Sequence, residues 1–138
     1  MKTVVVDADA FIALINKDDV LAAEAIKIFE NLYASEVKLV YPSTNIVEAI
    51  TTFQRKLNAP ALASDMAQML SNSQFNIISV DQNTFEIAET LFKPDGSKRN
   101  TMFDAVVAAV AKITRADAVF SFDKWYEKIG LKLATNLT

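Results

Sequence analysis

Four acidic side chains of this sequence stand inside apolar runs, where an isolated charge is costly. Asp7 follows Val4-Val5-Val6, and Glu48 lies within Ile46-Val47-Glu48-Ala49-Ile50. Asp104 opens Asp104-Ala105-Val106-Val107-Ala108-Ala109-Val110, and Asp123 follows Val119-Phe120-Ser121-Phe122. An unpartnered buried carboxylate costs several kcal/mol, against a total stability of about 5 to 15 kcal/mol for a typical domain. No Lys or His of obvious pairing stands beside them, so a bound cation is the economical compensation. Ligation by oxygen alone selects Mg²⁺ or Mn²⁺ over zinc.

The rest of the composition narrows the chemistry to the same place. With no Cys and no His, the chain has no thiol nucleophile, imidazole base, disulfide or usual ligand for structural zinc. Its two glycines, Gly96 and Gly130, exclude the Gly-rich loops that cradle nucleotide phosphates. The formal charge of −3 disfavours unassisted binding of nucleic acid, a bias that bound divalent cations would reverse locally.

Each acid also has a structural reading. Glu48 with Asn45, and Asp104 with Thr101, have the spacing of a capping box, while Asp7 and Asp123 suit turns after strands. Asp81-Gln82-Asn83-Thr84 reads as a helix N-cap. The remaining acids lie in polar or helix-surface contexts.

The elements that would position the four acids alternate along the chain. Short β-branched or apolar runs at 3–6, 38–41, 75–79, 118–121 and 132–134 predict about five strands. Helical periodicity occupies 10–15, 20–34, 44–56, 61–70, 84–92 and 102–114. This order predicts right-handed βαβ crossovers and a three-layer α/β/α sandwich with a mainly parallel central sheet. A site belongs at the carboxyl ends of such strands. Asp7 and Asp123 follow the first and fourth strands, and Glu48 and Asp104 fall early in helices, so all four can face one end. Asp117 precedes the fourth strand and belongs at the other.

At 138 residues the chain fits one domain spanning 1–138, and its 51% apolar content suffices for a substantial core. Asp7 and Asp9 interrupt the apolar N-terminal run and argue against a signal peptide, and no segment has the roughly 20 apolar residues of a membrane span. A cytoplasmic protein with no membrane partner is expected.

Taken together, these residues resemble the PIN-domain nucleases, and in size and layout the VapC-type toxins of toxin–antitoxin pairs. The resemblance rests on Val4-Val5-Val6-Asp7-Ala8-Asp9-Ala10-Phe11, Ser43-Thr44-Asn45-Ile46-Val47-Glu48, Thr101-Met102-Phe103-Asp104-Ala105 and Ser121-Phe122-Asp123-Lys124, four motifs in order over nearly the whole chain. It implies that Asp7, Glu48, Asp104 and Asp123 are catalytic metal ligands, with Ser121 supporting the last. Thr101 and Asp9 are further supporting residues, and Asp9 stands where Thr, Ser or Asn is common in the family. It either adds charge to the site or caps the next helix. Tyr126 stands where Phe is common, and Trp125 reads as a packing residue.

The implied activity is endoribonucleolytic. One or two cations would activate a water for in-line attack on an RNA phosphodiester, leaving 5′-phosphate and 3′-hydroxyl ends. Lys98, Arg99, Arg55 and Lys56 are candidate contacts to substrate phosphates. A cognate antitoxin and a homodimer are the implied protein partners. Two other readings compete: a catalytically inactive PIN-like module that binds RNA or protein, and a haloacid-dehalogenase-like phosphatase using Asp7 as nucleophile and Asp9 as acid/base.

Overall fold

The computed structural model describes residues 1–96 and 99–137. Val4, Val5 and Val6 are β-branched and almost wholly buried, and they form most of the central strand β1 (Thr3–Val6). It pairs in parallel with β2 (Lys38–Pro42), Val4 opposite Leu39, and on its other edge with β4 (Ala118–Phe120), Val5 opposite Val119. Outside β2 lies β3 (Ile77–Ile78), also parallel, giving the order β3-β2-β1-β4.

Alternate residues of β1 serve two cores, as the period of two requires. Val4, Val6 and Phe120 pack beneath α1 (Ala8–Ile15), α2 (Ala22–Ala34), α3 (Ser43–Arg55) and α4 (Pro60–Ser71). Val5, Val40 and Val119 face α5 (Gln82–Leu91) and α6 (Met102–Thr114). With both faces covered, the strands have no polar alternation to show, which is why they read as continuous apolar runs. In α6 every residue from Ala105 to Ala111 is buried, and its small side chains let the helix lie close to the sheet. The three-layer α/β/α architecture with a parallel sheet is the one expected.

Two elements differ from expectation. The third strand is two residues long: its partner β2 ends at Pro42, opposite Ile78, where α3 begins, and Phe75 ahead of it packs in the first core, its ring meeting those of Phe11 at 5.5 Å and Tyr41 at 5.3 Å. The expected fifth strand is a single parallel bridge from Leu133 to Val119, since the chain turns at once into the 3₁₀ segment Ala134–Asn136. A one-turn helix, α7 (Trp125–Lys128), is too short for periodicity to reveal. No helix among the described residues is long and apolar enough to cross a membrane.

The chain leaves β1 towards β2 and β3, then returns to the opposite edge of β1 for β4. The strand order therefore reverses between β1 and β4, where a parallel sheet opens a crevice at its carboxyl end. Asp7 and Asp123 follow these two strands. At the opposite end, Asp117 accepts a hydrogen bond from the Thr3 N–H at 2.8 Å.

Candidate functional site

Asp7 ends β1, where its own N–H donates to Phe120 O at 3.0 Å, and it caps α1 by accepting from the Ala8 N–H at 2.7 Å. Capping starts the helix two residues before its apolar periodicity does. Only 4% exposed, Asp7 draws donors from both faces of the sheet. Asn45 Nδ2, from α3, reaches Oδ1 at 3.1 Å, and the Tyr126 hydroxyl, from α7, reaches Oδ2 at 2.7 Å. Burial raises the Asp7 pKa well above the usual carboxylate range, and the charges of Asp9 and Asp104 add to the rise.

Asp9 lies in the first turn of α1 and reaches across to the β4 end. Its Oδ2 accepts from Ser121 Oγ at 3.0 Å and the Phe122 N–H at 2.9 Å, and its Oδ1 from the Ala10 N–H at 2.7 Å. Burial raises its pKa against those donors, with Asp104 contributing. The Ser121 hydroxyl that donates to Asp9 also accepts from the Asp123 N–H at 3.1 Å, so this buried serine links the two acids. Asp123 Oδ1 accepts from the Trp125 N–H at 2.9 Å, and its Oδ2 from Asn100 Nδ2 at 2.8 Å.

Asp104 is the third residue of α6 and forms the anticipated capping box with Thr101, whose N–H donates to Oδ2 at 2.9 Å. The same carboxylate lies 3.5 Å from Asn100 Nδ2. Half-buried, it has a raised pKa, chiefly from desolvation and also from Asp123. Capping and membership of the acidic cluster are thus compatible in one residue.

Glu48 forms no box with Asn45, because α3 already begins at Ser43 and the Asn45 side-chain oxygen that would accept in a box takes the Thr44 hydroxyl at 3.2 Å instead. Burial, then Asp104, then Asp9, lift its pKa from the ordinary 4.5 to about 7, with no hydrogen bond opposing the rise. Glu48 borders a groove of ≈ 490 Å³ whose wall includes the exposed Val47 and Phe103.

The structure therefore gathers Asp7, Asp9, Glu48, Asp104 and Asp123 at one end of the sheet, each within electrostatic reach of another. It also supplies donors that sequence reasoning missed. Part of the compensation assigned above to a cation comes from amides and hydroxyls: Asn45, Asn100 and Tyr126 all donate to cluster acids. Asn45 had a signal, its capping-box spacing, but it pointed to Glu48. Tyr126 showed only as a substitution for Phe, and no motif singled out Asn100.

Among the described residues no three carboxyl groups stand close enough to enclose one ion. The donor set nevertheless has the chemistry of a hard-cation site: oxygen ligands only, mutually repelling, at the mouth of a crevice. An ion at this crevice would have to draw on Asp7, Glu48, Asp104 and Asp123, the acids that face one another across it.

The basic candidates separate. Arg99 is exposed and lines a cleft of ≈ 600 Å³ together with Asp9, Asn100, Asp123, Lys124 and Lys128. Arg55 and Lys56 are exposed at the far end of α3, which runs back from the site, about 10 Å along the axis beyond Glu48. Lys98 lies outside the described residues.

A family model described as the PIN domain matches residues 4–132. Comparison with curated proteins gives no match. Among solved structures, the chain is similar to the Mycobacterium tuberculosis toxin VapC20, described as cleaving the Sarcin–Ricin loop, at 22% identity and a TM-score of 0.74, over 93% of this chain and 95% of that one. It is also similar to VapBC2 of Rickettsia felis, solved with a DNA fragment from its promoter, at 13% identity and a TM-score of 0.68, over 95% and 96% of the two chains. A toxin–antitoxin complex from Klebsiella pneumoniae aligns at 18% identity and a TM-score of 0.59, over 88% and 87%. Those identities speak to the fold, while the family model spans nearly the whole sequence. The chain belongs to the PIN domain family.

Proposed function

We propose that this chain, acting as one nuclease domain, is a Mg²⁺- or Mn²⁺-dependent endoribonuclease and the toxin of a toxin–antitoxin pair. The observation that carries the reading is the meeting of Asp7, Glu48, Asp104 and Asp123 beside the β1–β4 switch point, with the pKa of Asp7, Glu48 and Asp104 raised by burial and by neighbouring acids. Buried repulsion of this kind is costly in a structural role and useful in a cation site.

In this reading Asp7, Glu48, Asp104 and Asp123 would hold the metal, which when bound would supply Lewis acidity and lower the pKa of a water at neutral pH. The chain's own residues do the rest. Asn45 and Tyr126 orient Asp7, Ser121 ties Asp9 to Asp123, and Asn100 holds Asp123 towards Asp104. Arg99, Lys124 and Lys128 would take substrate phosphates along the cleft beside Asp123. Attack of water on phosphorus with cleavage of the P–O3′ bond, the 3′-oxygen leaving with a proton, would leave 5′-phosphate and 3′-hydroxyl ends.

RNA as substrate and an antitoxin as partner draw support from the similar structures, one described as a cleaving toxin and one as a toxin–antitoxin complex. A cytoplasmic homodimer restrained by a small antitoxin, which places a basic or apolar segment near the acidic cleft, completes the proposal. The phosphatase reading finds no support: Asp9 is tied down by three donors, and the chain matches the PIN family. An inactive binding module would have no use for the clustered acids.

The test is cleavage of RNA by the purified chain with Mg²⁺ or Mn²⁺, with chelator, and with Asp7→Asn. Metal-dependent cleavage that leaves 5′-phosphates and vanishes in the variant supports the nuclease. Expression in a bacterial host, alone and with its genomic neighbour, tests the pairing: growth arrest requiring Asp7 and relieved by the neighbour supports it, whereas harmless expression of an active enzyme points to a housekeeping nuclease.

A further inference from the structure

Tyr126 is the bulkiest side chain among the fully buried described residues, and its ring packs on Trp125 with centroids 5.2 Å apart. A buried phenol requires a partner for its O–H. Here that partner is Oδ2 of Asp7, at 2.7 Å. The other donors to Asp7, the Ala8 N–H and Asn45 Nδ2, both go to Oδ1, at 2.7 and 3.1 Å. A carboxylate oxygen offers about two lone pairs. Both on Oδ1 are taken, and on Oδ2 one is taken and one is open.

We propose that Tyr126 and Asn45 are positioning residues that restrict Asp7 to a single open ligand site, on Oδ2, and thereby favour Mg²⁺ over Ca²⁺ in the acidic cluster. The inference rests on the cation-site reading given above. A carboxylate can chelate an ion through both oxygens only if each has a lone pair to give. Turning Asp7 to do so means breaking its bonds to Ala8 or Asn45 on one oxygen and moving the other away from Tyr126. Ca²⁺ takes six to eight oxygens and accepts carboxylates through one oxygen or both, whereas Mg²⁺ demands near-octahedral geometry and keeps several waters. The three hydrogen bonds thus withhold from Ca²⁺ a mode that Mg²⁺ does not need. The donors also come from opposite layers, α3 and α7, so that neither core alone sets the direction of the open lone pair.

Calorimetric titration with Mg²⁺ and with Ca²⁺, on the wild type, Tyr126→Phe and Asn45→Ala, tests this without any activity assay. Tyr126→Phe removes one oxygen and leaves the ring, and Asn45→Ala opens a lone pair on Oδ1. The wild type should bind Mg²⁺ more tightly than Ca²⁺. Each variant should lose Mg²⁺ affinity by roughly tenfold, as expected on removing a partner that orients a metal ligand, and lose less for Ca²⁺, so that the ratio narrows. A merely structural loosening would lower both affinities alike and leave the ratio unmoved, which would overturn the proposal while sparing the cation site. A wild type that binds Ca²⁺ as tightly as Mg²⁺ overturns it even if neither variant folds. Failure to bind either ion at millimolar concentration overturns the inference and the cation site together.

Discussion

Ser121 gives its hydroxyl hydrogen to Asp9 over 3.0 Å, across 112 positions of sequence, and so fastens the end of β4 to the first turn of α1. Ser121→Ala removes that bond and the acceptor for the Asp123 N–H at once. A net loss of about 1 to 2 kcal/mol is expected, or roughly 3 to 6 °C in melting temperature for a chain of this size. Thermal denaturation in chelator measures it, and an unchanged midpoint would show that the link carries no weight.

Glu48 makes stability fall with rising pH. Its folded pKa, about 7, exceeds the ordinary 4.5, so between these values the folded state holds a proton that the unfolded state has released. With more protons bound when folded, the unfolding free energy decreases as pH climbs through this window and levels off above it. The raised acids Asp7, Asp9 and Asp104 act in the same direction. Melting in metal-free buffer from pH 5 to 8 should show the decline, and Glu48→Gln should flatten it between pH 5 and 7. A variant as steep as the parent would remove Glu48 from the account.

Asp104→Asn should separate the two roles of that residue. The amide oxygen can still accept from the Thr101 N–H, so the cap survives while the charge that adds to the effect of burial on the Asp7 and Glu48 pKa values is gone. In chelator the variant should melt about 2 to 4 °C above the parent, and in excess Mg²⁺ level with or below it, because ligand binding stabilises only the form that binds. Cleavage should be lost. Asp117→Asn, at the other end of the sheet, should change neither metal binding nor cleavage.

If RNA runs along the cleft beside Asp123, Lys124→Ala and Lys128→Ala should each raise KM several-fold with little change in kcat. Each should also reduce the slope of log affinity against log salt by about 0.7, the value for one phosphate contact on a single strand. Arg55→Ala and Lys56→Ala, at the far end of α3, should do less. Equal effects from the two pairs would mean that the substrate follows a different track.

Periodicity and charge carried the layer order and the end of the sheet at which the acids meet, because runs such as Val4-Val5-Val6 and Ala105-Val106-Val107-Ala108 are what two-sided burial demands. Hydrogen-bond partners far apart in sequence were another matter. Nothing local to Asn45 says that its amide points at Asp7, 38 positions away, or that a hydroxyl on Tyr126 spans 119 positions to the same carboxylate. Capping spacing at Asn45 and Glu48 was a true pattern with the wrong outcome, since α3 begins at Ser43 and leaves Asn45 inside the first turn. The brevity of β3 likewise depended on its partner strand, which ends at Pro42, 36 positions before Ile78.

The three donors that converge on Asp7 bear on how an inactive control should be made. Alanine at position 7 would strand the Ala8 amide, the Asn45 side chain and the buried Tyr126 hydroxyl together, each at about 1 to 3 kcal/mol, and a silent enzyme would then report an unravelled start of α1 as readily as missing chemistry. Asparagine is the cleaner choice. Its oxygen can face Ala8 and Asn45, its NH₂ can donate to the phenol oxygen once that hydroxyl rotates, and the isosteric side chain keeps both layers in register while the charge is withdrawn.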